Sequence, residues 1–248
     1  MWAGGWEVRR FAEIDSTNTY VLDQARQGAA EGLVAVAEHQ TAGRGRLDRR
    51  WESPPGANLL ASVLLRPGCE PDDLHLCTGA VALAAADACA EVAGVEPVLK
   101  WPNDLLVNGA KLAGVLAEAE FDGPRLEAVV VGIGLNVAWP GPADAGGTCL
   151  DDVGGTAQSV NKGVLLERLL EGLSARRPLL DDTEGRRALA AELRSRCATL
   201  GQRVRVTLPT GEVTGLASAI DDAGHLVVDT ASGPQLVSAG DVVHLRPE

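Results

Sequence analysis

The sequence lacks most of the signatures from which a chemistry is usually read. Its five cysteines, Cys69, Cys77, Cys89, Cys149 and Cys197, are an odd set without a C-x-x-C pair, which excludes a disulfide framework or a zinc ribbon. Three of them stand in apolar or alanine-rich surroundings, as core residues of a reducing compartment do, so a cytoplasmic location is expected. His39, His75, His225 and His244 are scattered without metal-ligand spacing, and no G-x-S-x-G elbow occurs, so metallohydrolase and serine-hydrolase readings drop out. There is no P-loop, and "GIGLNV" misses the third glycine of a dinucleotide fingerprint. The N-terminal "MWAGGWEVRR" does not have the basic-then-apolar order of a signal peptide. The alanine-rich run at 79–90 is broken by Asp87, so no membrane span is expected. Positive charge is also short: 22 Lys+Arg against 34 Asp+Glu give a formal net charge of −12, a field that repels nucleic acid and anionic membrane. Any phosphate chemistry must be local.

What is present is an ordinary globular composition, 46% hydrophobic and 23% charged over 248 residues, enough for one substantial core and a small second domain. "DSTNTYVLDQARQGAA" reads as a helix with Asp15 or Ser16 as its cap and Gly28 near its stop. Strands are expected at 33–40, 58–66, "PVLKWP" and 127–137, a long helix at 72–94 ended by Gly94, and a hairpin at Asn108-Gly109. Helices alternate with strands while one hairpin is antiparallel, which gives an α+β class with a mixed β-sheet flanked by helices. After a Pro/Gly-rich connector at 139–147, "KGVLLERLLEGLSARRP" and "EGRRALAAELRSRCATL" both carry apolar residues at helical spacing, as helices packing onto the sheet do. From Gly201 onward short alternating strands separated by Pro-Thr-Gly, Asp-Asp-Ala-Gly and Ser-Gly-Pro turns predict a small β-barrel, so the expected boundary divides 1–200 from 201–248.

Three stretches carry candidate chemistry. In "GRGRLDRRW" at 43–51, Gly43 and Gly45 permit close backbone approach, four arginines offer planar forks for phosphate or carboxylate, and Trp51 offers a stacking face. With no anion to meet, the like charges and glycines predict a mobile loop that orders around its ligands. In "KWPNDLLVNGAKLAGVLAE", Pro102 places Asn103 and Asp104 in a turn at a strand end, and Lys111 opens the next strand, with Gly114 marking a close approach. In "VVVGIGLNV", Gly132 and Gly134 strip side chains from one strand face and leave a groove that ends at the amide Asn136. Each stretch also fits a bland reading: a solvated basic loop, a snorkelling lysine beside a turn, and a strand kinked under a helix.

Taken in order, "STN" at 16–18, "EHQTAGRGR" at 38–46 followed by Trp51, "KWPNDL" at 100–105, "KLAGVLAE" at 111–118 and "GIGLNV" at 132–137 resemble the biotin protein ligases. The likeness runs over roughly residues 8–200, and the strands after Gly201 resemble the family's SH3-like C-terminal domain. The resemblance implies a class II synthetase-like catalytic domain that makes biotinyl-5′-AMP from biotin and MgATP. It then transfers biotin to a lysine of a biotin carboxyl carrier protein domain. It implies Ser16, Thr17, Asn18 and Gln40 around the ureido head, and Gly132 and Gly134 under the bicyclic ring. Gly43, Arg44, Arg46, Lys111 and Gly114 fall around the carboxylate and phosphate, with Lys111, Arg44 and Arg46 catalytic. Arg49, Trp51, Asn103 and Asn136 fall on the nucleotide side, and Asp104 is a candidate for Mg²⁺ or for assisting the acceptor lysine. Asp48 stands where family loops often carry glycine. No N-terminal helix-turn-helix precedes the pattern, so DNA is not an expected partner, and monomer and homodimer stay open. Two rivals remain: a lipoate or octanoate ligase or transferase, and a non-catalytic small-ligand sensor.

Overall fold

The computed structural model describes residues 5–155, 159–208 and 211–245. The turn expected at Pro209 and Thr210 lies outside the described residues. A seven-stranded sheet forms the body: β1 (Glu7–Ile14), β2 (Leu33–Gln40), β3 (Leu59–Leu65), β4 (Val98–Lys100), β5 (Asp104–Val107), β6 (Ala110–Asp122) and β7 (Arg125–Leu135). They lie in the order β1-β2-β3-β7-β6-β5-β4. Only the β1–β2 pair is parallel, so the sheet is mixed as expected. The strand β1, "EVRRFAEI", was not legible in the sequence. It is an edge strand with no buried position, and so carries no apolar alternation.

The two faces of this sheet are covered differently. α2 (Leu74–Ala93), α4 (Lys162–Arg176) and α5 (Thr183–Ser195) close one face over a continuous apolar core. Alanine and glycine let these helices approach: a Cβ on Gly172 would stand 3.3 Å from the Ala84 methyl, and one on Gly79 only 2.4 Å from Leu193. By length and composition Pro71–Ala93 could cross a membrane, but 72% of that window is buried inside the protein, as a core helix. Gly94 caps α2 at φ 65°. The four-residue α3 (Leu150–Val153) follows the connector. On the opposite face α1 (Thr17–Arg26) covers only Leu33, Ala35, Leu64, Ala128 and Val130, leaving the rest of the face to a cleft. Asn108 (φ 51°) and Gly109 (φ 81°) make the hairpin turn between β5 and β6.

β8 (Arg203–Leu208), β9 (Gly211–Ile220), β10 (Leu226–Thr230), β11 (Gly233–Val237) and β12 (Asp241–His244) form a second, antiparallel sheet in the order β11-β10-β9-β8-β12. The expected barrel does not close: β11 and β12 remain edges, because two strands of five and four residues are too short to curl round and pair. Its core is Val204, Val206, Ala217, Leu226, Val228, Val237 and Val242, completed by Trp101 from the turn after β4. Trp101 Nε1 donates to Gly224 O at 2.9 Å and its backbone N–H to Thr199 Oγ1 at 3.0 Å. The small sheet therefore borrows its largest core side chain across the expected boundary at 200. Four cysteines are buried and Cys197 is half-buried, and all five are free thiols.

Candidate functional site

The cleft lies where α1 begins. Ser16 caps the helix, its Oγ accepting from Thr19 N–H at 3.4 Å, so Thr17 and Asn18 enter the first turn pointing down onto β3, β6 and β7. Beyond the helix the floor is glycine: Gly132 and Gly134 on β7 and Gly114 on β6, with Gly114 opposite Gly134 in register. A Cβ at Gly132 would stand 2.1 Å from Asn18 Oδ1, and one at Gly134 2.2 Å from the Trp51 indole. These strands trade stability for a floor that other groups occupy. The cleft is about 810 Å³ and is lined by Ser16, Thr17, Asn18, Gln40, Arg44, Arg46, Arg49, Trp51, Asn103, Asp104, Lys111, Gly114, Gly132, Gly134 and Asn136. Gly43 stands behind the loop, where a Cβ would be 2.4 Å from Trp51 O.

One end of the cleft is neutral and hydrogen-bonding. Gln40 Oε1 accepts from Thr17 N–H at 2.7 Å and faces Thr17 Oγ1 at 3.0 Å, which leaves the Gln40 amide nitrogen to donate. The middle is cationic. Lys111 Nζ lies 2.7 Å from Asp104 Oδ1 and 5.5 Å from the Trp51 ring centroid. Trp51 lies over Gly114 and Gly134, with its Nε1–H buried and without a partner. A buried donor left unpaired costs on the order of 1–3 kcal/mol, which fits a group reserved for a ligand.

The arginine loop corrects the expectation of a free, self-repelling segment. It is a tight hairpin closed by Gly45 N–H to Arg49 O at 2.7 Å and Trp51 N–H to Gly43 O at 3.0 Å. Three of its arginines have partners on three different elements. Arg44 pairs with Glu118 of β6 at 2.6 Å, Arg46 donates to Asn103 Oδ1 at 3.2 Å, and Arg49 pairs with Asp241 of β12 at 2.6 Å. Burial pushes the Arg46 pKa down, while its hydrogen bond with Arg49 holds the Asp241 carboxyl below the usual range. Leu47 and Asp48 turn at φ 55° and 56°. The anions paired with Arg44 and Arg49 are carboxylates of the protein itself.

Asn103 ends the turn, its Nδ2 donating to Val115 O at 2.8 Å, and Asp104 already belongs to β5. Asn136, 3% exposed, spends its amide on the protein: Nδ2 donates to Pro140 O and Thr148 O, and Oδ1 accepts from Asn58 at 3.1 Å. It thereby anchors the 139–148 connector as the cleft's far wall. Sequence reasoning missed Asn58, Ser62, Glu118 and Asp241. Ser62 alone left a trace, as the one polar residue in "LLASVLL". Among the described residues no cluster of three His, Cys, Asp or Glu side chains could hold a metal by itself.

The description "Biotin/lipoate A/B protein ligase family" fits residues 11–136, and "Biotin protein ligase C terminal domain" fits residues 199–245. The chain is 42% identical to a biotin–[acetyl-CoA-carboxylase] ligase of Mycobacterium tuberculosis, over 98% of this chain and 91% of the relative. It is 35% identical to one from Paracoccus denitrificans, over 93% of this chain and 98% of that one. In structure it is similar to the biotin protein ligase from Aquifex aeolicus in complex with biotin and ATP, with a TM-score of 0.79 and 25% identity over 97% of this chain and 99% of that one. A likeness that runs through both sheets in sequence and in fold leaves one conclusion: the chain belongs to the biotin/lipoate A/B protein ligase family.

Proposed function

We propose that the chain is a biotin protein ligase, which activates biotin with ATP to biotinyl-5′-AMP and transfers biotin to a lysine of a carboxylase carrier domain. The observation that carries this reading is the polarity of the cleft: a neutral pocket at Thr17 and Gln40 opens directly onto Arg44, Arg46 and Lys111. A bicyclic urea with an acid tail needs that sequence of surroundings. The ureido head pairs with Ser16, Thr17 and Gln40, while Asn18, expected beside them, spends its amide on Glu118, Leu116 O and Ser62 and so supports the floor; the ring lies along Gly132 and Gly134, and the carboxylate reaches Lys111 and Arg44.

In the first half-reaction a carboxylate oxygen attacks the α-phosphorus, the bond to the bridging oxygen breaks, and pyrophosphate leaves with the electron pair. Two anions must meet, so the protein's contribution is position and positive charge: Lys111 on a strand, Arg44 and Arg46 on a pinned hairpin. Mg²⁺ arriving with the nucleotide would neutralise the phosphates that depart, and Asp104, a carboxylate lining the cleft, would hold it. Trp51 and Asn103 face the nucleotide, and Asn136 holds the wall against it. In the second half-reaction the carrier amine attacks the acyl carbon and AMP leaves. The surplus of acidic residues argues against operator DNA as a partner, and five free thiols accord with a cytoplasmic setting.

Lipoate or octanoate, the rival substrates, have no groups to pair with Thr17 and Gln40, and leaving such groups unpaired in a closed site strongly disfavours them. Biotin-dependent exchange of labelled pyrophosphate into ATP tests the reading. Exchange supported by lipoate or octanoate and not by biotin overturns it, and tight biotin binding without exchange would leave the sensor.

A further inference from the structure

The cleft holds a cation that the protein leaves without a partner. Lys100 ends β4 and pairs in register with Asp104 of β5, Asp104 with Gly114 of β6, and Gly114 with Gly134 of β7. Residues opposite one another on antiparallel strands point to the same face, so Lys100 ends a row that runs outward from the glycine floor. The alternate row, Leu99, Leu105, Ala113 and Leu135, belongs to the helix-covered core, which fixes the parity. Lys100 is half-buried and lines the cleft. Its neighbours there are engaged: Arg44 with Glu118, Arg46 with Asn103, Arg49 with Asp241 and Lys111 with Asp104. Among the described residues the Lys100 ammonium has no ion pair or hydrogen bond, in a chain with 34 Asp+Glu to offer one. Arg50 is also unpaired, but it is exposed on the hairpin, whereas Lys100 is carried by the sheet.

The row also gives the direction from which an anion would come. The acid tail arrives over Gly132 and Gly134 and meets phosphorus beside Lys111 on β6. In an in-line displacement the leaving oxygen departs on the side opposite the nucleophile, here across β5 toward β4. Neighbouring strands lie about 4.8 Å apart, so Lys100 stands one strand beyond Asp104, and its long stem reaches the group that departs. We propose that Lys100 holds the β- and γ-phosphates of ATP and then the pyrophosphate. The inference rests on the biotin ligase reading and deepens it. As the carboxylate oxygen bonds to the α-phosphorus and the bridging P–O bond breaks, the electron pair stays on the β-phosphate. The Lys100 ammonium meets that growing charge and keeps its own proton. Lys111 is shared with Asp104, but Lys100 gives up no internal partner when it takes the anion. Lys100 thereby serves the first half-reaction alone, because pyrophosphate takes no part in the second.

The test compares the full-length wild type with Lys100→Met, which keeps the apolar stem and removes the charge, and with Lys100→Arg, which restores the charge. In biotin-dependent pyrophosphate exchange, Lys100→Met should raise the KM for ATP and for pyrophosphate by about tenfold or more each, the scale of one charge-assisted hydrogen bond. The KM for biotin should stay within about twofold. Transfer from purified biotinyl-5′-AMP to a carrier domain should also stay within about twofold of wild type, which a merely structural role would not allow. Lys100→Arg should recover part of the loss. Lys100→Gln carries the test if the methionine variant does not fold. An unchanged KM for pyrophosphate, equal losses in exchange and in transfer from the preformed adenylate, or an arginine variant as weak as the methionine one overturns the role of Lys100. Absence of biotin-dependent exchange in the wild type overturns the functional reading instead.

Discussion

The two faces of the seven-stranded sheet are built to opposite ends. One carries α2, α4 and α5 over a core in which Leu76, Leu83, Leu165 and Leu166 are at most 2% exposed. The other has α1 over a small cluster, then three glycines, a buried hydrogen-bond chain and a lattice of arginine ion pairs. Several features unfavourable to folding meet on the second face: glycine within strands, an unpaired Trp51 N–H, and Leu47 and Asp48 in the left-handed region. The comparison teaches that the helix-covered face supplies the stability that lets the cleft face be shaped for ligands. Loss of function and loss of stability should therefore separate by face.

The sharpest test is Lys111→Ala, on the cleft face. Adenylation should fall about 10²-fold or more, as when one transition-state charge stabiliser is removed, while the melting temperature stays within a few degrees. Near wild-type turnover would break the assignment of charge stabilisation to this side. On the opposite face, Leu83→Ala removes a fully buried side chain from α2. Chemical denaturation should register a loss of about 2–5 kcal/mol, with turnover per folded molecule unchanged. A selective loss of turnover there would show that the faces are not separable.

Smaller effects probe the hairpin. Asp241→Asn removes the charge that holds Arg49 from the second sheet. The pair is partly exposed, so its worth is at most about 1 kcal/mol. The Asp241 carboxyl is depressed below its ordinary value of 3.8 by the Arg49 hydrogen bond, so its contribution is complete above that pH and is lost as pH falls through the lower folded value. Stability curves of wild type and variant should differ at pH 6 and converge in acid; a constant offset down to the acid transition contradicts this. The smallest expected effect is Asp48→Gly. Asp48 sits at φ 56°, where glycine relieves roughly 1 kcal/mol of strain but adds unfolded-state entropy of similar size. Stability should shift by less than about 1 kcal/mol with adenylation unchanged; a larger change would show that the loop conformation itself carries function.

Much of this was legible before any fold was known. The capped helix at "DSTNTY", the αL stop at Gly94, the Asn108-Gly109 hairpin and the alternating glycines of "GIGLNV" are decided by groups a few residues apart, and local chemistry fixes them. The same locality explains why the ordered motifs pointed to a ligase. The anion partners of the arginines were not legible, because Glu118 and Asp241 stand 74 and 192 residues from Arg44 and Arg49.

The sequence by itself determined the elements and the residue types that line the cleft, since capping, turn geometry and periodicity act over one or two turns of chain. Only the tertiary structure decided which polar groups meet. The strand order β3-β7-β6 sets Ser62 beside Gly132 and brings Glu118 within reach of Asn18. The open second sheet takes Trp101 into its core, and the hairpin finds Asp241. The physical reason is that a hydrogen bond or ion pair forms wherever packing sets two groups about 3 Å apart, and packing depends on the order in which distant strands are laid side by side.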